Sequence, residues 1–270
     1  MTVYVIGAGP GAPDLITLRG AQLLKRCRTC LYAGSLVPAE LLELCPPGAT
    51  LIDTARMPLA QIVSHIVDAH TAGDDVARLH SGDPSLYSAM TEQRRELAAH
   101  GIPVEVVPGV PAFAAAAAAL DAELTVPGVA QSVLITRVST LSTAMPCGEE
   151  LERLAATGIT LALHLAAHRA EEIVDALLPH YGARCPTATV AFASRADQQI
   201  VRCSLAELPG ALEATGIRRT AVIFVGRVLD PNVHPEVSDS YLYSEARMTK
   251  LRDDKHHHDK PRNDNLGDDG

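Results

Sequence analysis

Short apolar runs alternate with stretches of helical period along most of the chain, and this alternation limits the fold more than any other feature. Val3 to Ile6 reads as a strand, Leu15 to Arg26 as an amphipathic helix and Thr29 to Tyr32 as a second strand. Thr50 to Ile52 is strand-like. Pro58 to Thr71 reads as a helix, with Ile62, Val63, Ile66 and Val67 recurring at helical spacing. Asp75 to Leu79 reads as a strand, Ser88 to His100 as a helix and Val104 to Val107 as a strand. A further helix is expected to open at Pro111, a favoured first helical residue. After about Leu120 the pattern restarts, with strands at Val133 to Thr136, Thr160 to His164, Thr189 to Phe192, Ile200 to Cys203 and Ala221 to Val225. Glu149 to Thr157, Ala170 to Tyr181 and Leu205 to Ala214 read as helices. The expectation is an α/β chain with two α/β domains, residues 1–120 and 121–245, and a polar tail over 246–270. From Asp253 onward almost nothing is apolar, so the tail is expected to be disordered.

Composition narrows the function. Hydrophobic residues make up 47% of the 270, enough for a sizeable core. A net charge of -9 argues against nucleic acid as partner but permits an anionic ligand held by local cations. The N-terminus lacks a basic leader, and no apolar run approaches the ~20 residues that span a bilayer. The six cysteines are scattered, so reduced thiols and a cytoplasmic location are expected. Cys27 and Cys30 form a CxxC with no second pair at zinc spacing and read as buried small side chains. His256 to His258 sit in the tail, where no fixed geometry is available, and no metal site is expected.

Three stretches carry chemistry. Gly7-Ala-Gly-Pro-Gly-Ala-Pro-Asp14 follows the first strand and formally satisfies G-x-G-x-x-A, the dinucleotide fingerprint. Pro10 and Pro13 remove backbone donors that a pyrophosphate would need, and the second strand lacks the acidic residue that would hold a ribose. A nicotinamide-dependent oxidoreductase therefore rests on this loop alone. The second stretch is Arg78-Leu-His-Ser-Gly-Asp-Pro-Ser-Leu-Tyr87, in which Gly82 allows close backbone approach. Asp83 either accepts hydrogen bonds from a ligand or caps the next helix. The third, Val107-Pro-Gly-Val-Pro-Ala-Phe113, opens a helix of small side chains that a ligand or a second backbone can approach closely.

Together these stretches resemble the tetrapyrrole methyltransferases, which methylate corrin and sirohaem precursors from S-adenosylmethionine. Later matches run in the same order: Ile135-Thr-Arg137, Thr160 to Leu165, Cys185 to Ala193 and Ala221 to Gly226. Tyr32-Ala-Gly-Ser-Leu-Val37, Thr136-Arg137 with Met145-Pro146, and Ser240 to Tyr243 resemble a corrin-building branch. The uroporphyrinogen branch usually carries an aspartate directly after the strand-two tyrosine, where this chain has Ala33.

The resemblance implies a cofactor, S-adenosyl-L-methionine, folded into a cleft between two domains, with the tetrapyrrole in an adjacent trough and a homodimeric assembly. Carried over position by position, the cofactor contacts are Pro10, Ser81, Gly82, Asp83, Leu86, Pro111, Ala112, Leu165, Ala193, Ala221, Val222 and Ile223. Arg56, Arg78, Arg137, Arg195 and Arg227 are candidates for holding substrate carboxylates by bidentate pairing. No catalytic base is identified; His80 and His164 sit at strand ends and read first as structural. A carrier without catalysis, or a protein-modifying diphthamide synthase of the same superfamily, are the remaining alternatives.

Overall fold

The computed structural model describes residues 1–138, 144–231 and 245–250. The first half runs β1 (Val3–Gly7), α1 (Leu18–Leu24), β2 (Thr29–Tyr32), α2 (Ala39–Leu42), β3 (Thr50–Asp53), α3 (Leu59–Thr71), β4 (Val76–His80), α4 (Met90–Ala99), β5 (Val104–Val107) and α5 (Ala112–Ala119). The second half runs β6 (Val133–Arg137), α6 (Leu151–Ala155), β7 (Thr160–His164), α7 (Ala170–Tyr181), β8 (Pro186–Ala191), β9 (Gln199–Ser204), α8 (Leu208–Thr215) and β10 (Ala221–Val225). Each half folds around one five-stranded sheet, the expected α/β architecture.

The first sheet has the order β3-β2-β4-β1-β5 and is parallel throughout. Its inner strands are buried on both faces, as a parallel sheet requires. Tyr4 and Ile6 pack against Leu23 and Leu24 of α1, while Val3 and Val5 pack against Ile66 of α3 and Leu97 of α4. The chain therefore leaves β1 toward one face and β4 toward the other. Between such neighbours the strand ends open a crevice, the usual ligand position in an open α/β sheet.

The second sheet, β6-β7-β10-β8-β9, is mixed: β6 and β7 are parallel, and β10 runs antiparallel to both β7 and β8. The carboxyl ends of β7 and β8 thus share an edge with the start of β10. Helix α5 packs on this sheet, with Ala116 beside Ala162, Val222 and Phe224, so the alanine run is a close-packing surface for the second half.

Several boundaries move for local reasons. Pro111 is not the first helical residue: at φ -72° and ψ 150° it is extended and serves as N-cap to α5. The helix expected from Leu15 starts at Leu18, because Thr17 caps it by accepting from Gly20 N at 3.1 Å. α4 starts two residues late, since Ala89 is left-handed at φ 53°. Residues 245–250 are helical. Ser240 to Tyr243, His256 to His258 and the rest of the tail lie outside the described residues.

Candidate functional site

The loops after β1, β4 and β5 meet backbone to backbone. Gly9 N donates to the Gly82 carbonyl at 3.2 Å, and Gly82 N donates to the Gly9 carbonyl at 2.7 Å. A Cβ on Gly109 would lie 2.2 Å from the Gly82 carbonyl oxygen and 2.7 Å from Gly7 Cα, so only glycine fits. Asp83 clasps the third loop. Its Oδ2 accepts from Gly109 N at 2.8 Å, and its Oδ1 accepts from Ser85 N at 2.8 Å and from the Ser85 hydroxyl. Burial raises this carboxyl, but the bonds from Ser85 and Gly109 outweigh it and hold Asp83 below the usual carboxylate range. The helix-cap alternative fails, because α4 begins only at Met90.

The second half closes over these loops. Ala12 N donates to Ser194 Oγ at 2.9 Å, joining the proline loop to the segment after β8. Between the halves lies a cavity of about 340 Å³. Eleven of the twelve expected contact residues line it: Pro10, Ser81, Gly82, Asp83, Leu86, Pro111, Ala112, Leu165, Ala193, Ala221 and Val222. The twelfth, Ile223, is corrected. It is 0% exposed, its backbone is paired to both β7 and β8, and its side chain belongs to the core under α7 and α8.

Sequence reasoning missed Leu36, Tyr87, Val190, Arg219 and Thr220, which also line the cavity, and it read the lining His164 first as structural. Three of the lining residues, Tyr87, Leu165 and Thr220, have φ near 50° without being glycine. His164 Nε2 is buried with no hydrogen-bond partner among the described residues, and the ring lies 5.6 Å from Tyr87 and 6.4 Å from Phe113, centroid to centroid. Burial lowers its pKa to about 4, so it is neutral at pH 7. His80 ends β4 in the same way, with Nε2 buried and without a partner among the described residues. Burial and the nearby Arg78 lower it to about 4 as well.

The five arginines separate. Arg78 is 7% exposed and donates from Nε to Gln93 Oε1 and from Nη1 to Thr54 Oγ1, both at 2.9 Å. It supports β4 from within the core and is corrected as a surface cation for substrate. Burial lowers its pKa to about 10. Arg227 follows the far end of β10, roughly 20 Å along the strand from Ala221, and does not line the cavity. Arg195 is engaged by Asp197 through Nε at 2.9 Å and Nη2 at 3.2 Å, over the Phe192 ring. It lines a neighbouring cleft of about 520 Å³ that shares Leu36 with the cavity. Arg137 Nη1 donates to the Val138 carbonyl and Nη2 to the Ala144 carbonyl. Arg56 is exposed just past β3 and close enough to Asp53 to help lower its pKa, behind the larger effect of the bonds Asp53 accepts from Ala55 N and Gly34 N. Through that bond to Gly34, Asp53 puts a carboxylate beside the position where Ala33 lacks one.

A small cavity with apolar walls, two charged groups and tightly apposed backbone suits a nucleoside carrying a polar chain. The family model for tetrapyrrole (corrin/porphyrin) methylases matches residues 2–209. The chain belongs to this family. Among its relatives, the precorrin-4 C(11)-methyltransferase of Rhodococcus erythropolis is 57% identical over 247 residues, covering 92% of this chain and 98% of the relative. The solved structure of a cobalt precorrin-4 methyltransferase superposes with a TM-score of 0.83 at 39% identity, covering 85% of this chain and 96% of that one. A uroporphyrin-III C-methyl transferase from Thermus thermophilus, complexed with S-adenyl homocysteine, superposes with a TM-score of 0.72 at 30% identity, covering 85% and 93%. Among the described residues no helix is long and apolar enough to cross a membrane, and no three His, Cys, Asp or Glu side chains cluster as metal ligands.

Proposed function

We propose that this chain transfers a methyl group from S-adenosylmethionine to C11 of precorrin-4, a step in corrin assembly. The observation that carries the reading is the precorrin-4 C(11)-methyltransferase from Rhodococcus erythropolis, similar over nearly the whole of both chains. The higher identity to this relative, 57% against 39% for the cobalt enzyme, favours a metal-free substrate. The cofactor reading is supported by the cavity between the halves, and the contact set is Pro10, Ser81, Gly82, Asp83, Leu86, Pro111, Ala112, Leu165, Ala193, Ala221 and Val222. Two domains, residues 1–120 and 121–245, meet at this cavity, and the chain is read as a cytoplasmic homodimer.

S-adenosylmethionine supplies an electrophilic methyl on a positively charged sulfur. The protein's task is alignment and exclusion of water. Leu86, Val190 and Val222 provide a wall that holds no competing nucleophile. The Gly7–Gly82–Gly109 contact holds the three loops against one another, and an in-line displacement depends on such alignment. His164, which lines the cavity and is neutral at pH 7, would add no like charge to a bound sulfonium. The adjoining cleft, with Arg195 on its wall, is the candidate trough for the macrocycle.

Incubation with precorrin-4 and cofactor carrying a carbon-13 methyl tests the assignment. A single enriched methyl at C11 is expected. Enrichment at another ring carbon, or binding of NAD in place of S-adenosylhomocysteine by calorimetry, overturns it.

A further inference from the structure

We propose that Arg219 is a carboxylate-binding residue of the interdomain cleft. The proposal rests on the cofactor reading above. Arg219 lines the cavity, is exposed, and has no hydrogen-bond or ion-pair partner among the described residues. The other charged lining residue, Asp83, already receives Ser85 and Gly109 on its two oxygens.

The backbone holds Arg219 in this position. Thr220 is left-handed at φ 52°, and its carbonyl accepts from Phe192 N at 2.9 Å. Arg218 lines a different groove, together with Glu171, Glu172 and Glu213, whereas Arg219 lines the cleft. An exposed arginine without a partner among the described residues, on the wall of a ligand-sized cavity, is the arrangement expected of a carboxylate-binding group. Two ligand carboxylates come within its chemistry: that of the methionyl half of the cofactor, and one of those on the macrocycle.

The test compares the parent protein with R219A and R219K by calorimetry, using S-adenosylhomocysteine and 5′-methylthioadenosine, which lacks the amino-acid end. KM and kcat for precorrin-4 are measured alongside. If the methionyl carboxylate is the ligand, R219A weakens S-adenosylhomocysteine by roughly ten- to hundredfold and leaves methylthioadenosine unchanged. If a macrocycle carboxylate is the ligand, both nucleosides bind as before and KM for precorrin-4 rises by a similar factor with kcat retained. In either case R219K recovers part of the loss. Unchanged binding and KM overturn the proposal, as does an equal loss for both nucleosides with a lowered melting temperature, which marks a structural role. A parent protein that binds neither nucleoside overturns the cofactor reading itself, and the proposal with it.

Discussion

On the side of the first sheet, Gly82 lines the cavity and is backed by two glycines packed backbone to backbone: a Cβ on Gly7 or Gly109 would overlap backbone atoms of the neighbouring loops. On the side of the second sheet the wall contains no such contact. Leu165, Phe192, Ser194 and Thr220, all with side chains, are instead held at φ between 52° and 66°. Both constructions fix a loop at a strand end. The first depends on the absence of side chains, and the second on surrounding structure that imposes a costly conformation. The first side has strained residues as well, Tyr87 and Ala89, but they lie beyond the motif, in the segment leading to α4.

The largest test of this contrast is Gly109→Ala. The added methyl meets the Gly82 carbonyl and Gly7 Cα, backbone atoms that cannot move aside without parting β1 from its neighbours. A loss of at least about 4 kcal/mol in urea unfolding is expected, together with loss of nucleoside binding. A variant that unfolds near the parent's midpoint would mean the loops are not clamped.

Acid should strike both walls at once, through the histidines that end β4 and β7. His80 and His164 have folded pKa values of about 4, below the value near 6.5 expected when unfolded. Between those values the unfolded chain binds more protons, so stability is complete above about pH 6.5 and falls as pH drops toward 4. Each histidine should contribute on the order of 2 kcal/mol to this loss. Melting temperatures from pH 7.5 to 4.5 should therefore decline, and H80Q and H164Q should each flatten the decline. A flat profile in the parent would contradict the burial of these rings.

The same contrast explains what was legible in the sequence. A glycine that must be glycine leaves a visible motif, so the three loops of the first wall could be read directly, and with them the α/β alternation and the site's position at strand ends. Thr220 and Leu165 carry no such signal, because context and not residue type sets their φ. Arg219 carries no signal for the same reason: nothing local distinguishes it from Arg218, and only tertiary structure places the one on the cleft and the other on a different groove. Arg78 was misread because its partners, Thr54 and Gln93, are neutral and distant in sequence. Ile223 was carried over with Ala221 and Val222 as one run, yet only the start of β10 reaches the cavity.

The smallest expected effect separates the two walls most directly. Thr220 is exposed and β-branched at φ 52°, a conformation that costs an L-residue roughly 1–2 kcal/mol and glycine almost nothing. Thr220→Gly removes that strain but gives the unfolded chain more freedom, at roughly 0.5–1 kcal/mol. The balance is a gain of about 0.5–1 kcal/mol, seen as a melting temperature raised by about 1–3 °C in a chain of this size. Thr220→Ala keeps a Cβ in the left-handed region and should fall between the parent and the glycine variant. Nucleoside affinity should move the other way, since a flexible residue 220 no longer fixes the start of β10 and the arginine before it. On the first wall any added Cβ destabilises; on the second, removing one stabilises. A Thr220→Gly variant that melts below the parent would show that the second wall is relaxed, and the contrast between the walls would fail.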